Sequence, residues 1–566
     1  MPVCYIEILL GHGGGNWRQR AEFFMQLRLF ITVVVLQASP LWAGELHDAV
    51  VRGDRAQVAR LLAGGADVNE LTYNDYTPLR CADDPAIVEL LLRHKPELGR
   101  RDAASAQTPL EHAADEACRD GKDGDNWRKI VKLLLDADAY YDIQSAIYLN
   151  DLGRVRTLLT DNSQLANGCH GAQSVPLRVA ARGGRYEICD LLLKAGADPD
   201  DVEDGNGYSI VQVAVAYPQI VKLLIDAGAD LQRRITWTGG RTGGWVIGDD
   251  ATVLHYAACD GVPETVNLLI DNGVDIFATA HNSMNELDKQ TALEVASFFG
   301  RADNAAAILN RPQFSQVDAD YRKSLLDKCL LIGAVPSWMA ERADRPALIE
   351  ALLNKGADPN ANQNGAPAIQ IAVRQIHPNS VDENEDMKKV AAFLIKHGAN
   401  LDLFSAVAIG DEAQVGRLLK QDPACANARA ADGCPALRFA VKMNYRNIVK
   451  QLLDAGCDVD IRNKCTDEGN LDESALHCAA FWGRFRIARQ LLEAGAKIDA
   501  LTSEDRTPLH EAARMTNVRV TRLLLEHGAR MDLRDKNGLT PAADCGWKNA
   551  DEIKRIFREF EQKPVN

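Results

Sequence analysis

The stretch TPLHEAARMTNVRVTRLLLEHGAR, residues 507–530, carries the pattern that decides the fold. Thr507 followed by Pro508 is typical of a helix start, because the threonine caps free amide groups and proline fits the first helical position. Gly528 predicts the end of a second helix, since glycine readily adopts the left-handed conformation found there. The predicted buried positions are Leu509, Ala512 and Ala513 in the first helix and Val518, Val520, Leu523 and Leu524 in the second. Two helices and an extended loop therefore form one unit.

Two phrases of this stretch alternate along the chain. Thr-Pro-Leu or a variant begins at Thr77, Thr108, Val175, Thr252, Thr291, Pro435, Ser474 and Thr507. Aliphatic residues followed by Gly-Ala-Asp or a variant end at Asp67, Asp198, Asp230, Asp275, Asp358, Asn400, Asp458, Lys497 and Arg530. The steps from Ser474 to Thr507 and from Thr507 to Thr540 are each 33 residues. A fixed period of this length indicates a repeat architecture in which stacked units share one core.

In these residues the chain resembles an ankyrin-repeat protein. The resemblance covers about residues 44–562 and implies an all-α solenoid of about fifteen stacked helix-turn-helix units with projecting finger loops. Such an array takes up about 500 of the 566 residues, which leaves no room for a catalytic domain of ordinary size. The resemblance also implies a protein partner bound through a concave face and the finger loops. It implies no enzymatic activity, metal or cofactor.

Three segments depart from the pattern by lacking Thr-Pro-Leu: residues 46–62, 144–159 and 404–419. A unit that opens a stack needs no finger loop packed on a predecessor. We therefore expect sub-arrays to begin near residues 44, 143 and 402.

Residues 311–323 carry neither phrase and are the candidate for a break in the solenoid. The expected arrays on its two sides span residues 44–310 and 324–562. The charged last helix of the sequence suits a terminal unit that faces water.

Residues 25–43 have the layout of a secretory signal peptide, with Arg28, an apolar run from Leu29 to Leu36, and Ala43. The run is far shorter than the roughly 20 residues of a membrane-spanning helix. We expect cleavage after Ala43 and a periplasmic or secreted bacterial protein without a membrane span. Residues 1–24 are then a misassigned start or a disordered leader. If residues 25–43 are not cleaved, a cytoplasmic location is expected instead.

The charge balance excludes some classes of partner. The chain has 64 Lys and Arg against 79 Asp and Glu, a net charge of −15. Phosphate binding needs surplus cations, so a general nucleic-acid binder is disfavoured and a basic protein partner is favoured. The aromatic content of 6% suits the packing of small helical residues. A monomer is expected.

Two motifs that suggest chemistry lack an essential residue. His510 and Glu511 begin HEAAR, but a zinc-binding HExxH needs a second histidine where Arg514 stands. Residues 239–244 read GGRTGG without the Gly-Lys-Ser/Thr of a phosphate-binding loop. His255, His477 and His510 share one position in their units, where the resemblance implies hydrogen bonds to a neighbouring loop.

The thirteen cysteines are too scattered for a disulfide framework. Stacked helices lie about 8–10 Å apart, whereas a disulfide needs Cα atoms within about 7 Å, so only finger loops can be bridged. Cys434 and Cys465 fall near successive finger tips, and both a disulfide and two unpaired thiols remain open there. Cys259 and Cys478 are expected to be buried as small apolar residues.

The loop between Asp230 and Thr252 is the candidate partner-binding finger. It is glycine-rich and carries Arg233, Arg234, Trp237, Arg241 and Trp245. Tryptophan and arginine are enriched among interface hot spots. The alternative is that the two tryptophans fold back onto neighbouring helices.

The leading functional hypothesis is an exported, non-enzymatic scaffold for protein–protein interaction. Its alternatives are an immunity or inhibitor protein for a toxin and a host-delivered or intracellular effector. A third class, an enzyme hidden in residues 311–350, is disfavoured because Cys329 has no nearby histidine.

Overall fold

The computed structural model describes most of the chain after residue 43. The described residues are 44–72, 75–103, 105–118, 124–168, 175–201, 208–234, 250–281, 289–335, 344–374, 376, 378, 381–463, 472–545 and 550–562. The predicted signal segment at residues 25–43 lies outside them, so its cleavage and the export of the chain remain predictions.

The described residues fall into two compact units. The amino-terminal unit comprises residues 44–296 and 303–316, and the carboxy-terminal unit comprises residues 297–302 and 317–562. The division between residues 316 and 317 lies within the segment 311–323, and each unit is described by itself.

The helices before residue 317 come mostly in consecutive pairs. They are α1 (Glu45–Val51) with α2 (Arg55–Ala63), α3 (Pro78–Cys81) with α4 (Pro85–Leu92), α5 (Pro109–Cys118) with α6 (Gly124–Asp136), α7 (Ile143–Tyr148) with α8 (Leu152–Asp161), α9 (Pro176–Arg182) with α10 (Tyr186–Lys194), α11 (Ile210–Val213) with α12 (Pro218–Asp226), α13 (Val253–Asp260) with α14 (Pro263–Asp271), and α15 (Ala292–Phe298) with α16 (Ala302–Leu309), followed by α17 (Pro312–Gln316). A 3₁₀ helix, Ser163–Asn167, follows α8.

The later helices continue this order. They are α18 (Ala319–Gly333) with α19 (Arg345–Asn354), α20 (Ala368–Arg374) with α21 (Val381–Lys396), α22 (Leu403–Ile409) with α23 (Glu412–Gln421), α24 (Ala436–Met443) with α25 (Arg446–Asp454), α26 (Ala475–Phe481) with α27 (Phe485–Glu493), α28 (Pro508–Arg514) with α29 (Val518–Glu526), and finally α30 (Ala550–Glu561). A second 3₁₀ helix, Pro423–Asn427, follows α23.

In each of the two compact units, helices that hold the same place in successive pairs pack side by side. In the amino-terminal unit the first helices of successive pairs are in contact from α1 through α13. In the carboxy-terminal unit the same holds from α18 through α28, and the second helices α23, α25, α27, α29 and α30 form the other layer. Near residues 143 and 402, where sub-arrays are expected to begin, the stacking of first helices is continuous. There α7 contacts α5, and α22 contacts α20.

Short strand pairs stand in two of the loops and add a small β component to the predicted all-α fold. β1 (Thr279–Ala280) pairs with β2 (Gln290–Thr291), and β3 (Asn362–Gln363) pairs with β4 (Ala366–Pro367), both antiparallel. These hairpins lead directly into α15 and α20.

The predicted unit at residues 507–530 is confirmed. Thr507 caps α28 by accepting the His510 amide, Pro508 stands in the first turn, and Gly528 has φ +86° after α29. Leu509, Ala512, Ala513, Val520, Leu523 and Leu524 are buried as predicted. Val518 is only half-buried, because it is the first residue of α29.

A ladder of Asn and Asp side chains joins the ends of successive pairs. Asn427 Oδ1 accepts the Asp458 amide at 2.8 Å, and Asp460 Oδ1 accepts the Lys497 amide at 3.0 Å. Asp200 does the same for the Asp230 amide at 2.7 Å in the amino-terminal unit. These bonds satisfy backbone donors that would otherwise need water.

None of the described helices combines the length and hydrophobicity that crossing a lipid bilayer requires.

Candidate protein-interaction surface

A buried histidine links each of several helix pairs to the next loop. His477 Nδ1 accepts the Ser474 amide at 3.3 Å, and its Nε2 lies 3.0 Å from the Arg506 carbonyl oxygen. Because Nδ1 accepts a hydrogen bond, the proton of the neutral ring sits on Nε2, which donates to the carbonyl. One imidazole therefore caps its own helix and holds the following loop.

The same arrangement occurs at His255 and His510, as the sequence analysis predicted. His255 Nε2 reaches the Gln290 carbonyl at 2.9 Å, and His510 Nε2 reaches the Leu539 carbonyl at 3.1 Å. Burial lowers the pKa of His255 and of His477 to about 4, and it also lowers the pKa of His510. All three rings are therefore neutral at pH 7, as their hydrogen bonds require. His47 also bridges to the next loop, 2.9 Å from the Tyr76 carbonyl.

Other residues replace histidine at this position in other pairs. Gln212 Oε1 accepts the Ser209 amide at 2.7 Å, and Glu111 Oε2 accepts the Thr108 amide at 2.8 Å. Burial and the neighbouring Asp142 raise the pKa of Glu111 to about 8. A raised carboxyl pKa is often a functional signal, but Glu111 is 1% exposed and is held by Arg101. We therefore assign a structural role to Glu111 and its neighbours Arg101 and Asp142.

Two of the first helices carry half-buried or exposed side chains at their carboxyl ends. Phe481 ends α26 and is followed by Trp482, while Arg514 ends α28 and is followed by Met515. Phe481, Trp482 and Arg514 are half-buried, and Met515 is 40% exposed. Two successive units thus present apolar and cationic side chains at equivalent places.

These side chains contact one another. The rings of Phe481 and Trp482 form a T-shaped pair with centroids 5.4 Å apart. Arg514 Cζ lies 5.5 Å from the Phe481 ring centroid, and Arg484 Cζ lies 5.8 Å from that of Trp482. Cation–π contacts of this kind hold an arginine in place without neutralising its charge.

A third aromatic ring extends this group onto the second helices. Phe485, the first residue of α27, has Arg519 Cζ 4.2 Å and Arg489 Cζ 5.0 Å from its ring centroid. Arg519 belongs to α29 of the next pair, so the contact spans two units. We call the whole group the arginine–aromatic cluster; its members are Phe481, Trp482, Arg484, Phe485, Arg489, Arg514 and Arg519.

Hydrogen bonds to the backbone fix the cluster across three helix pairs. Arg484 Nη2 donates to the Lys442 carbonyl at 2.9 Å, at the end of α24. Asn517 Nδ2 donates to the Phe481 carbonyl at 2.9 Å, at the end of α26. The cluster is therefore preorganised, which lowers the entropy lost when a partner binds.

This cluster was not predicted from the sequence. Its members are separated along the chain by whole helices and a loop, and only the stacking of units brings Arg519 to Phe485. The available signal was the sequence FWGRFR at residues 481–486, which places aromatic and basic residues together at the turn between two helices.

The predicted finger lies partly outside the described residues, which leave out Trp237, Arg241 and Trp245. Arg233 donates to the Asp200 carbonyl at 2.9 Å, and Arg234 donates to the Asp250 and Thr279 carbonyls at 3.0 and 3.1 Å. Both arginines thus hold the base of the loop. Partner binding by the five finger residues remains a prediction.

The proposed Cys434–Cys465 disulfide also remains a prediction, because Cys465 lies outside the described residues. Cys434 is fully buried, with its Sγ 3.8 Å from the Pro435 carbonyl oxygen. Cys259 and Cys478 are buried, as expected.

The side chains of His510 and Glu511 in the HEAAR motif make structural contacts. Glu511 accepts hydrogen bonds from Arg506 at 2.7 Å and from Arg514 at 2.5 Å, while His510 bridges to Leu539. Among the residues that the structure describes, no group of three His, Cys, Asp or Glu side chains is placed to hold a metal ion.

Comparison with known families identifies the repeats. Sequence models of ankyrin repeats match residues 143–235, 403–502 and 462–537, and a model of a single ankyrin repeat matches residues 249–281. The chain therefore contains ankyrin repeats, and together with the helical pairs they fit an all-α repeat solenoid. The number of units, about fifteen, remains a prediction.

Curated relatives resemble parts of the chain. The transient receptor potential cation channel subfamily A member 1 of Homo sapiens is 28% identical over 35% of this chain and 16% of its own length. The E3 ubiquitin-protein ligase KEG of Arabidopsis thaliana is 23% identical over 70% of this chain and 23% of its own length. The NAD-capped RNA hydrolase NUDT12 of Homo sapiens is 36% identical over 18% of this chain and 21% of its own length. The chain thus spans less than a quarter of each.

Proposed function

We propose that this protein is a non-enzymatic scaffold that binds a protein partner through the exposed ends of its first helices and through its finger loops. The observation that carries the proposal is the arginine–aromatic cluster, in which exposed and half-buried side chains of successive repeats are held in fixed positions. Arginine and tryptophan are enriched at interface hot spots, and preorganised side chains lose little entropy on binding.

Ankyrin repeats also support a binding function rather than catalysis. The activities in the relatives' names belong to proteins of which the shared segment is a small part. We carry none of those activities to this chain, and we propose that the shared property is the repeat scaffold itself.

The finer parts of the proposal rest on the sequence. We propose that residues 25–43 direct export of a monomeric bacterial protein to the periplasm or beyond, on the basis of their signal-peptide layout. The net charge of −15 supports a basic partner for the acidic surfaces of the chain. N-terminal sequencing tests export: a mature chain that starts at Gly44 supports it, and an intact Met1 or Met25 contradicts it.

The binding function is tested by affinity capture with the full chain carrying a carboxy-terminal tag. The test variant is Phe481→Ala with Trp482→Ala, which removes two aromatic side chains of the cluster. The control variant is Tyr140→Ala with Tyr186→Ala, which removes two exposed aromatic side chains elsewhere. We expect the wild type and the control to recover the same partner and the test variant to lose it.

Recovery of identical proteins by all three chains, after circular dichroism has shown that all three are folded, contradicts the proposed surface. In the finger, Trp237→Ala is expected to leave thermal unfolding unchanged and to weaken capture of the same partner.

A further inference from the structure

We propose that the arginine–aromatic cluster and the exposed arginines of the same three helix pairs bind a short acidic segment of the protein partner. The inference rests on the proposed binding function and names the chemistry of the partner at one surface. It differs from the expectation of a basic partner, which follows from net charge alone.

The helical segments that carry the cluster are basic, although the chain as a whole is acidic. This difference is seen in the fifteen-residue segments that start at the first residue of a first helix. Segments 436–450, 475–489 and 508–522 together contain ten Lys and Arg and one acidic residue, Glu511. The corresponding segments 176–190, 210–224 and 253–267 of the amino-terminal unit contain four basic and four acidic residues. The cationic excess is thus confined to particular repeats.

Part of this positive charge is available to a ligand, although Arg438, Lys450, Arg514 and Arg522 form ion pairs within the chain. Arg446, Arg486, Arg489 and Arg519 are exposed. In the part of the chain that the structure describes, no carboxylate lies within ion-pair distance of these four side chains. Glu511, the acidic residue of the three segments, is buried and already bound by Arg506 and Arg514. A carboxylate of a partner therefore meets guanidinium groups that lack an internal counter-ion, and guanidinium–carboxylate pairs are among the strong hydrogen-bonded pairs.

The basic surface formed by the three helix pairs that begin at residues 436, 475 and 508 has the length of a short peptide segment. Three stacked helix pairs at about 8–10 Å spacing extend over about 20 Å. An extended peptide covers that distance with about six residues, since each residue spans about 3.3–3.6 Å. Trp482 and Met515 offer apolar contact area beside the arginines, so the favoured ligand combines acidic residues with at least one large apolar residue.

The same dimensions disfavour a nucleic acid. Double-stranded DNA carries a negative charge about every 1.7 Å and continues beyond any short patch. The rest of this chain is acidic and would repel the continuing phosphates, whereas a short peptide segment ends where the patch ends.

The proposal is tested by panning the full chain against a phage-displayed library of dodecapeptides and measuring the selected peptides by fluorescence anisotropy. Two test variants are used: Arg489→Gln with Arg519→Gln, and Arg446→Gln with Arg486→Gln. The second pair leaves the cation–π contacts intact, so it separates loss of charge from loss of structure. The control, Lys194→Gln with Lys222→Gln, makes the same charge change on exposed outer residues of α10 and α12.

We expect selected peptides rich in Asp and Glu, with a Kd that rises about tenfold or more for each test variant and less than about twofold for the control. Selected peptides without acidic enrichment, no selected peptide at all, or equal weakening by test and control variants overturns the inference. All three outcomes leave the proposed scaffold function standing, since capture of the partner is measured separately.

Two further probes address the other polyanions. A 20-nucleotide oligothymidylate and phosphatidylserine vesicles are titrated under the same salt conditions. Tighter binding of either probe than of the acidic peptides, with loss in both test variants, overturns the inference in favour of a nucleic acid or an anionic membrane.

Discussion

The imidazole of His477 donates from Nε2 to the carbonyl oxygen of Arg506, 3.0 Å away in the loop that precedes the next helix pair. The same ring accepts the Ser474 amide, so one side chain satisfies a helix end and a loop of a neighbouring unit. This double contact explains why Thr-Pro-Leu-His and its variants recur. The repeats of His47, His255, His477 and His510 use that position to couple themselves to the next repeat.

Replacing His477 by alanine should lower the free energy of unfolding by about 2–3 kcal/mol, because two buried hydrogen bonds are lost and the Arg506 carbonyl remains unpaired. Urea unfolding followed by circular dichroism measures the change. His527→Ala serves as the control, since this ring is exposed and contacts the Leu523 carbonyl of the helix that it follows. Equal effects of the two substitutions would argue against coupling through His477.

Stability should fall as the pH is lowered from about 6.5 to about 4. Histidine in an unfolded chain has a pKa near 6.5, whereas burial lowers the pKa of His255 and His477 to about 4 in the folded protein. The unfolded chain therefore binds more protons in this window, and each such histidine removes about 1.4 kcal/mol of stability per pH unit. Above about pH 6.5 this contribution is fully present.

The variant His477→Gln isolates this effect, because Gln212 already fills the equivalent position with a side chain that does not titrate. Urea midpoints at pH 7.5 and pH 5.0 should converge for wild type and variant as the pH falls. A constant difference between them at the two pH values would be incompatible with a neutral buried His477.

Replacing Asn427 by alanine should cost about 1 kcal/mol, because its Oδ1 accepts the Asp458 amide at 2.8 Å. Hydrogen exchange at the Asp458 amide should become faster. Asn427→Asp keeps an acceptor in place and is the matched control. Unchanged exchange in the alanine variant would show that the side-chain ladder does not protect this amide.

Leu509→Asp should unfold the carboxy-terminal repeats. Leu509 is 0% exposed, and a carboxylate buried there without a partner costs more than about 4 kcal/mol. Leu501→Asp, at a residue 42% exposed, provides the control. Identical thermal unfolding of Leu509→Asp and wild type, followed by circular dichroism, would refute the packing described for α28.

The features that could be predicted from the sequence recur from repeat to repeat and depend on residues that are close together in the chain. Thr507, Pro508 and Gly528 act within one helix pair, so their roles were readable from local chemistry. The arginine–aromatic cluster was not predicted, because Arg519 reaches Phe485 only through the stacking of units. The bonds of Arg234 to the carbonyl groups at the base of its loop were not predicted either, because they join segments that are far apart in the sequence.

Hydroxyl-radical footprinting of the chain, alone and saturated with its captured partner, tests the central claim most directly. Trp482 and Met515 lie at the proposed surface, and Tyr140, 70% exposed, lies elsewhere and serves as the internal reference. We predict that the partner slows oxidation of Trp482 and Met515 severalfold and leaves Tyr140 unchanged. Unchanged oxidation of Trp482 and Met515 in the saturated complex would contradict partner binding through the first-helix ends of these repeats.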